Sequence, residues 1–373
     1  MLRYSVSMKH VLLIGGGKIG AMITHMLASS GDYHVTIADS SDAALQRVKV
    51  QNHVETLKLD VSDDKALASA LHGKFAVLSA VPFQVTKYIA KAAVAEKVHY
   101  FDLTEDVENT RMVKDLAHGA SSALMPQCGL APGFISIVAH HLARGFDELE
   151  EVKMRVGALT QYPTNVLKYN LTWSTDGLIN EYIKPCEAVV DGQIKEVDAL
   201  AGYETFAMDG TDYEAFNTSG GLGTLCETLA GKVKHLNYKS VRYPGHCDIL
   251  KLLIKDLRLG ERPELLKEIF ENALPLTYQD VVLVFASVTG RKNGVLMQET
   301  YAHKIYSHEE DGHRWSAIQI TTASGICGVL DLMANGKLPQ KGFIRQEDVD
   351  FKEFIANRFG QNYERRQETR DHD

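Results

Sequence analysis

The chain has 373 residues, of which 45% are hydrophobic and 24% charged, and its formal net charge is -8 at pH 7. This length and composition suit a soluble globular protein of about two domains. The acidic balance contains no dense run of lysine and arginine, so we expect no nucleic-acid partner.

Two features of the sequence indicate the cellular compartment: the pattern of cysteines, and the lack of a signal-peptide or membrane-span pattern. Five cysteines are scattered without CxxC or cysteine-histidine clusters, which favours a reducing environment and indicates no disulfide framework. The opening MLRYSVSMKH lacks a signal-peptide pattern, and no stretch approaches the ~20 apolar residues of a membrane span. We therefore expect a cytoplasmic protein with no metal site and no membrane contact.

The first predicted strand, at 11–14, runs directly into three glycines with the spacing GxGxxG. In a strand-turn-helix unit these glycines allow a tight turn, a close approach to a pyrophosphate, and close packing of helix on strand. The helix N-terminus then favours the phosphate charge. This pattern predicts a dinucleotide site, with a merely structural turn as the alternative. The residues predicted to form it are Gly15, Gly17, Lys18, Ile19 and Gly20.

The second predicted strand, at 33–38, ends in Asp39, about twenty residues beyond the turn. An acid at this position accepts hydrogen bonds from the hydroxyls of the adenosine ribose, but it repels the additional phosphate of NADP. The residues that follow add no cation before Arg47. The sequence therefore predicts NAD as the cofactor, in preference to NADP.

Four more predicted strands, at 54–59, 75–80, 98–101 and 123–126, alternate with helix patterns. Six such alternations are typical of an α/β, Rossmann-type doubly wound parallel sheet. Ligands bind at the carboxyl ends of the strands in these folds. This placement predicts a role in the cleft for Asp102, which ends the fifth strand. Further cofactor contacts are predicted for Asp60, Val61, Ala80, Val81 and Pro82.

Beyond about residue 145 the pattern changes to strands joined by turns. One sizeable helix, at 263–272, interrupts them, and an apolar helix at 323–333 follows. We predict a second α+β domain with a mostly antiparallel sheet, which also offers a surface for a homodimer. The predicted strands lie at 152–159, 167–174, 187–191, 204–208, 236–243, 280–289, 296–306 and 313–321.

The predicted domains follow from this change of pattern. Residues 1–145 form an NAD-binding Rossmann domain, and residues 146–322 form the domain for substrate binding and dimerisation. The small, apolar face of the helix at 323–333 suits packing on the first domain, so residues 323–350 are predicted to return to it. Residues 351–373 are predicted to be a charged tail.

Four segments, GGGKIG, APGF, NTSGG at 217–221 and YKSVRYPGH at 238–246, resemble the saccharopine dehydrogenase family. Within it, the chain is most similar to the short lysine 6-dehydrogenase branch, which pairs a TSGG segment with a similar RYxGH segment. The resemblance implies oxidation of a carbon bonded to nitrogen on lysine or a lysine adduct. Fungal saccharopine reductases carry an arginine where this chain has Asp176, in WSTDG, and an aspartate would repel a carboxylate of the adduct.

Hydride can leave such a carbon only when the nitrogen lone pair is free, so a base must first remove a proton from the protonated amine. His246, Asp102 and Lys184 are the candidates, and the sequence does not choose between them. A histidine has the most suitable ordinary pKa. The alternative for His246 is a structural role.

Substrate contacts are also predicted. The planar fork of Arg242 matches a carboxylate, although a salt bridge on the strand surface is the alternative. Tyr169 and Asn170 offer neutral hydrogen bonds, or else belong to the core. Cys128 lines the cleft or, since nothing near it in sequence lowers the thiol pKa, is a small packing residue.

The leading hypothesis is an NAD-dependent enzyme that oxidatively deaminates an amino-acid substrate, lysine, at its side-chain amine. The first alternative keeps the chemistry and makes saccharopine the substrate. The second is a non-catalytic, NAD-sensing protein with the same fold.

Overall fold

The structure is a computed structural model that describes residues 8–48, 52–310 and 312–364. Contacts divide these residues into two units. The first comprises the described residues up to Leu130 together with Thr322–Gln361, and the second comprises Ala131–Thr321 and the described residues after Gln361. The first boundary lies before the predicted position 145, because the helix at Phe134–Ala143 packs on strands of the second unit.

Strands and helices alternate through the first part of the chain. The strands are β1 (Lys9–Ile14), β2 (Tyr33–Asp39), β3 (Val54–Lys58), β4 (Ala76–Ser79), β5 (His99–Asp102) and β6 (Ala123–Met125). The helices are α1 (Lys18–Ser29), α2 (Asp42–Arg47), α3 (Asp64–Leu71), α4 (Thr86–Glu96) and α5 (Val107–Leu116).

The second part is richer in strands. Its strands are β7 (Glu148–Thr160), β8 (Cys186–Val190), β9 (Gln193–Val197), β10 (Glu204–Met208), β11 (Thr211–Asn217), β12 (Val233–Arg242), β13 (Asp280–Lys292), β14 (Val295–Tyr306), β15 (His308–Glu310) and β16 (His313–Trp315). The helices are α6 (Phe134–Ala143), α7 (Thr175–Ile183), α8 (Leu225–Leu229), α9 (His246–Lys251) and α10 (Pro263–Ala273). The chain ends with α11 (Ala317–Ala334), β17 (Gly342–Phe343) and α12 (Phe351–Ala356).

The first unit contains a seven-stranded parallel sheet in the order β17-β6-β5-β4-β1-β2-β3. The winding reverses between β1 and β4, and in such sheets ligands bind at this switch point, outside the carboxyl ends of the strands. The central strands are buried on both faces and read as apolar runs: residues 11–14 of β1 are at most 1% exposed, whereas the edge strand β3 is mostly exposed. The predicted Rossmann-type fold is confirmed.

The second unit contains an eight-stranded sheet in the order β10-β11-β12-β7-β13-β14, with β8 paired to both β12 and β9. Only the β7–β12 pair is parallel among the strand pairs described in this sheet. The sheet is therefore mostly antiparallel, as predicted. In the second unit the predictions missed β9, β11 and the short strand β15, and they also missed helices α6 to α9.

The predicted strand at 167–174 is wrong. This segment forms only an isolated bridge, between Leu171 and Leu276. Lys168 has a φ of +52°, which breaks an extended strand, and the Ser174 hydroxyl accepts a hydrogen bond from the amide of Gly177. That bond caps the N-terminus of α7, so the polar side chain at 174 starts a helix.

The predicted strand at 313–321 ends after three residues, at Trp315. A buried carboxylate explains the change: Asp280 accepts hydrogen bonds from the amides of Ala317 and Ile318, at 2.5 and 3.0 Å. These amides belong to the first turn of α11, where unpaired N–H groups favour a negative charge. The helix therefore begins six residues before its predicted start at 323.

The segment after residue 322 belongs to the first unit. Strand β17 pairs with β6 as a further parallel strand, and the hydroxyl of Tyr33 in β2 donates to the Asp331 carboxylate of α11 at 2.7 Å. Arg358 also binds Asp331, so the returning segment extends past the predicted 350. Of the predicted charged tail, residues 365–373 lie outside the described residues.

One helix among the described residues, α11, is long and apolar enough to cross a membrane by length and composition. Within the protein, 89% of that window is buried. This burial is what the core helix of a globular protein shows.

Candidate functional site

The glycine turn after β1 has the geometry that the spacing predicts. Gly15 has a φ of +114°, and a Cβ added there would lie 2.4 Å from the carbonyl oxygen of Ala80. A Cβ on Gly20 would lie 1.8 Å from the carbonyl oxygen of Gly15. Both positions therefore require glycine, the first for its conformation and the second for close packing of α1.

Gly17 differs from these two glycines, because a Cβ there would meet no atom within 4 Å. It is the N-cap residue of α1, and no side chain caps this helix. Open space in front of an uncapped helix N-terminus is the arrangement that receives a phosphate group. The turn therefore fits the pyrophosphate of a dinucleotide.

The carboxylate of Asp39 lies at the same turn. Its Oδ2 accepts a hydrogen bond from the amide of Gly16 at 2.7 Å, and its Oδ1 accepts one from the amide of Ser41 at 2.8 Å. These bonds fix the acid beside the glycine turn, where the family of folds binds the adenosine ribose.

A cation that the sequence analysis overlooked lies close to this acid. Lys58 pairs in register with Asp39 across β2 and β3, and its Nζ binds the Asp42 carboxylate at 2.5 Å. Both members of that ion pair are more than half exposed. Sequence spacing could not indicate Lys58, because it comes from the next strand.

The other predicted cofactor contacts lie at or beside the carboxyl ends of β1, β3 and β4. Asp60 is exposed and binds both the amide and the hydroxyl of Ser62, and the first of these bonds lowers the pKa of its carboxyl most. Val61 is half-buried beside it. The remaining residues are half-buried except for an exposed Pro82: Lys18, Ile19, Ala80, Val81 and Pro82.

Asp102, by contrast, has no free carboxylate oxygen. Oδ1 accepts hydrogen bonds from the amides of Thr104 and Gln127, and Oδ2 accepts one from the hydroxyl of Tyr100 at 2.6 Å. The side chain is 1% exposed, and burial raises its pKa against the opposing effect of these bonds. The contacts argue against proton transfer and indicate that Asp102 holds the loop after β6.

Cys128 is wholly buried in that loop. Its Sγ lies 3.0 Å from the Met125 carbonyl oxygen, and the Gln346 amide donates to it at 3.3 Å. Burial raises the thiol pKa well above its ordinary value. These contacts support the packing alternative rather than a place in the cleft.

In the second unit, a buried chain of hydrogen bonds joins two predicted site residues, Arg242 and His246, through Tyr182. We call these three residues, with the aromatic side chain that packs on Arg242, the relay cluster. The Nδ1 of His246 lies 2.9 Å from the carbonyl oxygen of Leu167, so Nδ1 carries the proton and donates it. Nε2 is then the acceptor, and the Tyr182 hydroxyl donates to it at 3.1 Å. The hydroxyl oxygen in turn accepts a hydrogen bond from Arg242 Nε at 2.9 Å.

This relay leaves His246 neutral. Burial and the Arg242 charge lower the histidine pKa to about 3, although the bond to Leu167 opposes them. A neutral ring whose two nitrogens are both engaged is a poor general base, so the geometry favours the structural alternative. The predicted base Lys184 is exposed, immediately after α7.

The depressed histidine pKa predicts how stability depends on pH. Below pH 6.5 the unfolded chain binds a proton at His246 that the folded chain excludes down to about pH 3. Stability is therefore present above pH 6.5 and is lost as the pH falls, by about 1.4 kcal/mol per pH unit. His246→Gln should flatten this slope in urea unfolding measured from pH 7 to pH 4. An unchanged slope would contradict a neutral His246.

A second buried carboxylate positions the segment that carries both relay residues. Glu214 accepts hydrogen bonds from the amides of Gly245 and Cys247, at 2.7 and 2.6 Å. These amides lie at the N-terminus of α9, whose first residue is His246. The carboxylate thereby fixes the RYPGH turn through the backbone.

The aromatic ring of Tyr169 packs against the guanidinium of Arg242, with 5.1 Å between the ring centroid and Cζ. Its hydroxyl is buried and has no hydrogen-bond partner in the described part of the chain. Asn170 is also buried, and its Oδ1 accepts from the amide of Asn165 at 3.1 Å. Tyr169 is thus part of the relay cluster, and Asn165, which also bonds the backbone of Tyr169 at 2.8 and 3.2 Å, links Asn170 to it.

Asp176 lies outside this cluster. Its Oδ2 is 2.6 Å from the Nζ of Lys267, on the surface in the first turn of α7. The paired lysine offsets its charge, which weakens the prediction that it repels a substrate carboxylate. Tyr182 and Glu214 were missed, because an isolated tyrosine or glutamate gives no sequence signal before the fold brings it to Arg242. No group of three or more potential metal ligands occurs among the described residues.

Comparison with known proteins identifies the family. A family model for the saccharopine dehydrogenase C-terminal domain matches residues 129–366, and one for the saccharopine dehydrogenase NADP binding domain matches residues 11–124. The chain belongs to the saccharopine dehydrogenase family. As a member of this family with a Rossmann NAD(P)-binding domain, it is an oxidoreductase, and the predicted family is confirmed.

Curated relatives in the saccharopine dehydrogenase family differ in length. Saccharopine dehydrogenase (NADP(+), L-glutamate-forming) of Saccharomyces cerevisiae is 24% identical over 327 residues, which cover 82% of this chain and 70% of the relative. The mitochondrial alpha-aminoadipic semialdehyde synthase of Bos taurus is 20% identical over 204 residues, which cover 52% of this chain. The match spans only 22% of that longer protein.

Solved structures support the family fold. Apo saccharopine dehydrogenase (L-Glu forming) from Saccharomyces cerevisiae has a TM-score of 0.77 at 18% identity, with 93% of this chain and 97% of that chain covered. Homospermidine synthase from Legionella pneumophila has a TM-score of 0.64 at 12% identity, with 95% and 89% covered. At these identities the likeness establishes the fold alone.

Proposed function

We propose that the protein is an NAD-dependent oxidoreductase that acts on the CH–NH group of lysine or of a lysine-derived amino acid. Family membership supports the reaction class. The glycine turn and Asp39 support the dinucleotide, and the relay cluster around Arg242 supports an amino-acid substrate.

The choice of substrate rests on the hydrogen bonding of Arg242. Nε donates to Tyr182 and Nη1 donates to the carbonyl oxygen of Val241, which leaves Nη2 and one N–H of Nη1 without a partner in the described residues. Two such N–H groups form the end-on fork that binds one carboxylate. Lysine carries one carboxylate and saccharopine carries three, so a single fork favours lysine.

The charge of this fork is secure. Burial opposes the positive charge of Arg242, but the hydrogen bond to Tyr182 and the nearby Glu181 carboxylate support it, and the guanidinium pKa is raised. Tyr182 stays protonated, because burial raises its own pKa. The cluster therefore presents a fixed cation at any physiological pH.

In the proposed reaction the lysine side-chain ammonium first loses a proton to solvent water, which gives the neutral amine. The carbon bonded to that nitrogen then loses a hydride, which gives an iminium. Water adds to the iminium carbon, and ammonia leaves to give an aldehyde. Bound NAD supplies the hydride acceptor. The chain's own part in this scheme is to bind the α-carboxylate at Arg242 and to hold the dinucleotide at the glycine turn.

NAD is proposed over NADP because Asp39 lies at the turn, although the relative from Saccharomyces cerevisiae is named for NADP(+). We expect Asp39→Asn to keep a hydrogen-bond acceptor for the amide of Gly16 while it removes the repelling charge. The ratio of NAD to NADP affinity should fall by roughly tenfold, measured by calorimetric titration. A wild-type preference for NADP would contradict this assignment.

The function is tested by a substrate panel in which NADH formation is read by absorbance. Turnover of lysine with NAD, and slow or no turnover of saccharopine, is the expected result. The names of the relatives favour saccharopine as the second candidate, and fast turnover of saccharopine without lysine turnover would select it. NAD binding without turnover of any amine would select the sensing protein.

We also propose a homodimer in the cytoplasm. Three consecutive apolar residues, Val295, Leu296 and Met297, are exposed at the start of β14, which is an edge strand. Such an edge favours association. Light scattering after gel filtration tests the dimer, and cell fractionation tests the location.

A further inference from the structure

Gln127 has an unusual backbone conformation for a buried polar residue. Nine non-glycine residues in the described part of the chain have a positive φ, and seven of these are exposed. The two buried ones are Leu200, in an apolar cluster, and Gln127, with a φ of 64° and 3% exposure. A conformation of this kind persists only where its surroundings enforce it, and such positions cluster at functional sites.

The surroundings of Gln127 do enforce it. Asp102 binds the Gln127 amide through its carboxylate and the Cys128 amide through its carbonyl oxygen, both at 2.8 Å. On the other side, the Gln346 amide donates to the carbonyl oxygen of Pro126 at 2.9 Å. A Cβ on Gly325 would lie 2.5 Å from the Cys128 carbonyl oxygen, so α11 packs tightly against this loop. Contacts from Asp102, from Gln346 and from α11 therefore hold this loop in one conformation.

This loop lies at the edge of the sheet where the nicotinamide half of a dinucleotide is expected to bind. A doubly wound sheet binds the two halves of a dinucleotide over its two sets of strands. The glycine turn and Asp39 belong to β1 and β2, which leaves the carboxyl ends of β4, β5 and β6 for the nicotinamide half. Gln127 lies two residues after β6.

At these three strand ends, two polar side chains have no hydrogen-bond partner among the described residues: the hydroxyl of Ser79, the last residue of β4, and the side-chain amide of Gln127. A single hydroxyl cannot pair with both the carbonyl and the N–H of a carboxamide, whereas a side-chain amide can. The residues after β4 at 80–82 are apolar, and the Asp102 carboxylate after β5 binds only groups of its own chain. Gln127 as a whole is 3% exposed, yet neither amide atom is among the fully enclosed atoms that lack a partner, so the amide is both unpaired within the described residues and open to a ligand.

We propose that the side-chain amide of Gln127 binds the carboxamide of the nicotinamide ring. Each of the two groups has a carbonyl acceptor and an N–H donor, so they are complementary in a pair of hydrogen bonds. The contact would fix the rotation of the ring and so decide which face receives hydride. The inference rests on the proposed dinucleotide function but not on the identity of the amine.

Calorimetric titration with NAD and with ADP-ribose, which lacks the nicotinamide, tests the proposal. Gln127→Gly adopts the positive φ without strain, so we expect a melting temperature no lower than that of the wild type. NAD affinity should fall about tenfold, as expected for the loss of one or two hydrogen bonds, and ADP-ribose affinity should not change. Unchanged NAD affinity, or an equal loss for both ligands, would overturn the proposal.

A second variant keeps the test interpretable if the first variant folds poorly. Gln127→Asn keeps a shorter amide and tolerates a positive φ, and it should show a smaller loss that is again confined to NAD. Should the glycine variant melt earlier, the asparagine variant decides by the same comparison. A wild-type protein that binds NAD but oxidises no amine would refute the proposed function and leave this test intact. A wild-type protein that binds no NAD would overturn both.

Discussion

Gly17→Ala is expected to abolish dinucleotide binding while the free protein keeps its stability. The backbone of Gly17 has a φ of -73°, which alanine adopts readily, and the added Cβ meets no atom within 4 Å. The free energy of unfolding should therefore change by less than about 1 kcal/mol. In the complex, however, the methyl group would occupy the space through which the pyrophosphate approaches the backbone. Calorimetric titration with NAD and urea unfolding measure the two effects.

Gly20→Ala is the matched control at the same turn. Its Cβ would lie 1.8 Å from the carbonyl oxygen of Gly15, which is backbone and cannot rotate away. This variant should lose about 3 kcal/mol of stability, and NAD binding with it. The pair separates a steric block of the ligand from a disrupted turn. NAD binding by Gly17→Ala at wild-type affinity would contradict the placement of the pyrophosphate.

The dinucleotide site could be predicted because its signals are local. Gly15, Gly17 and Gly20 act within one strand-turn-helix unit, where each glycine has a backbone reason that is visible in the spacing. The place of Asp39 in the same site could also be predicted, because parallel strands end at a common edge of the sheet. Lys58 could not, since its approach to Asp42 depends on the pairing of β2 with β3.

The relay cluster was harder to predict because it is not local. Arg242 and His246 lie in one recognisable segment, but Tyr182 joins them from α7, and Glu214 holds their turn from the neighbouring strand β11. Sequence patterns assigned no helix at α7. Capping by Ser174 and the left-handed conformation at Lys168 outweighed the strand propensity of the residues around them.

Burial also decided between alternatives that the sequence left open. Asp102 and His246 are both candidate bases by residue type, yet each is about 1% exposed and has its polar atoms engaged. Residue type gives an ordinary pKa, whereas the surrounding dielectric and hydrogen bonds set the actual one. His246 consequently titrates near pH 3, far below the value for which its residue type suggested it.

Arg242→Lys is expected to lower kcat/KM for lysine by about 10² to 10³-fold, which corresponds to about 3 to 4 kcal/mol of transition-state stabilisation. An ammonium group keeps the charge but cannot donate both to Tyr182 and, as a planar fork, to a carboxylate. NAD binding belongs to the first unit and should stay at the wild-type affinity. Steady-state kinetics with lysine, together with NAD titration of the same preparation, measure both quantities.

Tyr182→Phe is the matched variant, because it removes the oxygen that accepts from Arg242 Nε and leaves the guanidinium in place. It should cost about tenfold in kcat/KM, since a loosened fork still carries its charge and its N–H groups. If Arg242 had a purely structural role, the result would differ. Arg242→Lys would then lower the melting temperature, and the fraction of the protein that stays folded would turn over lysine at the wild-type rate. Such a result would place the substrate carboxylate elsewhere.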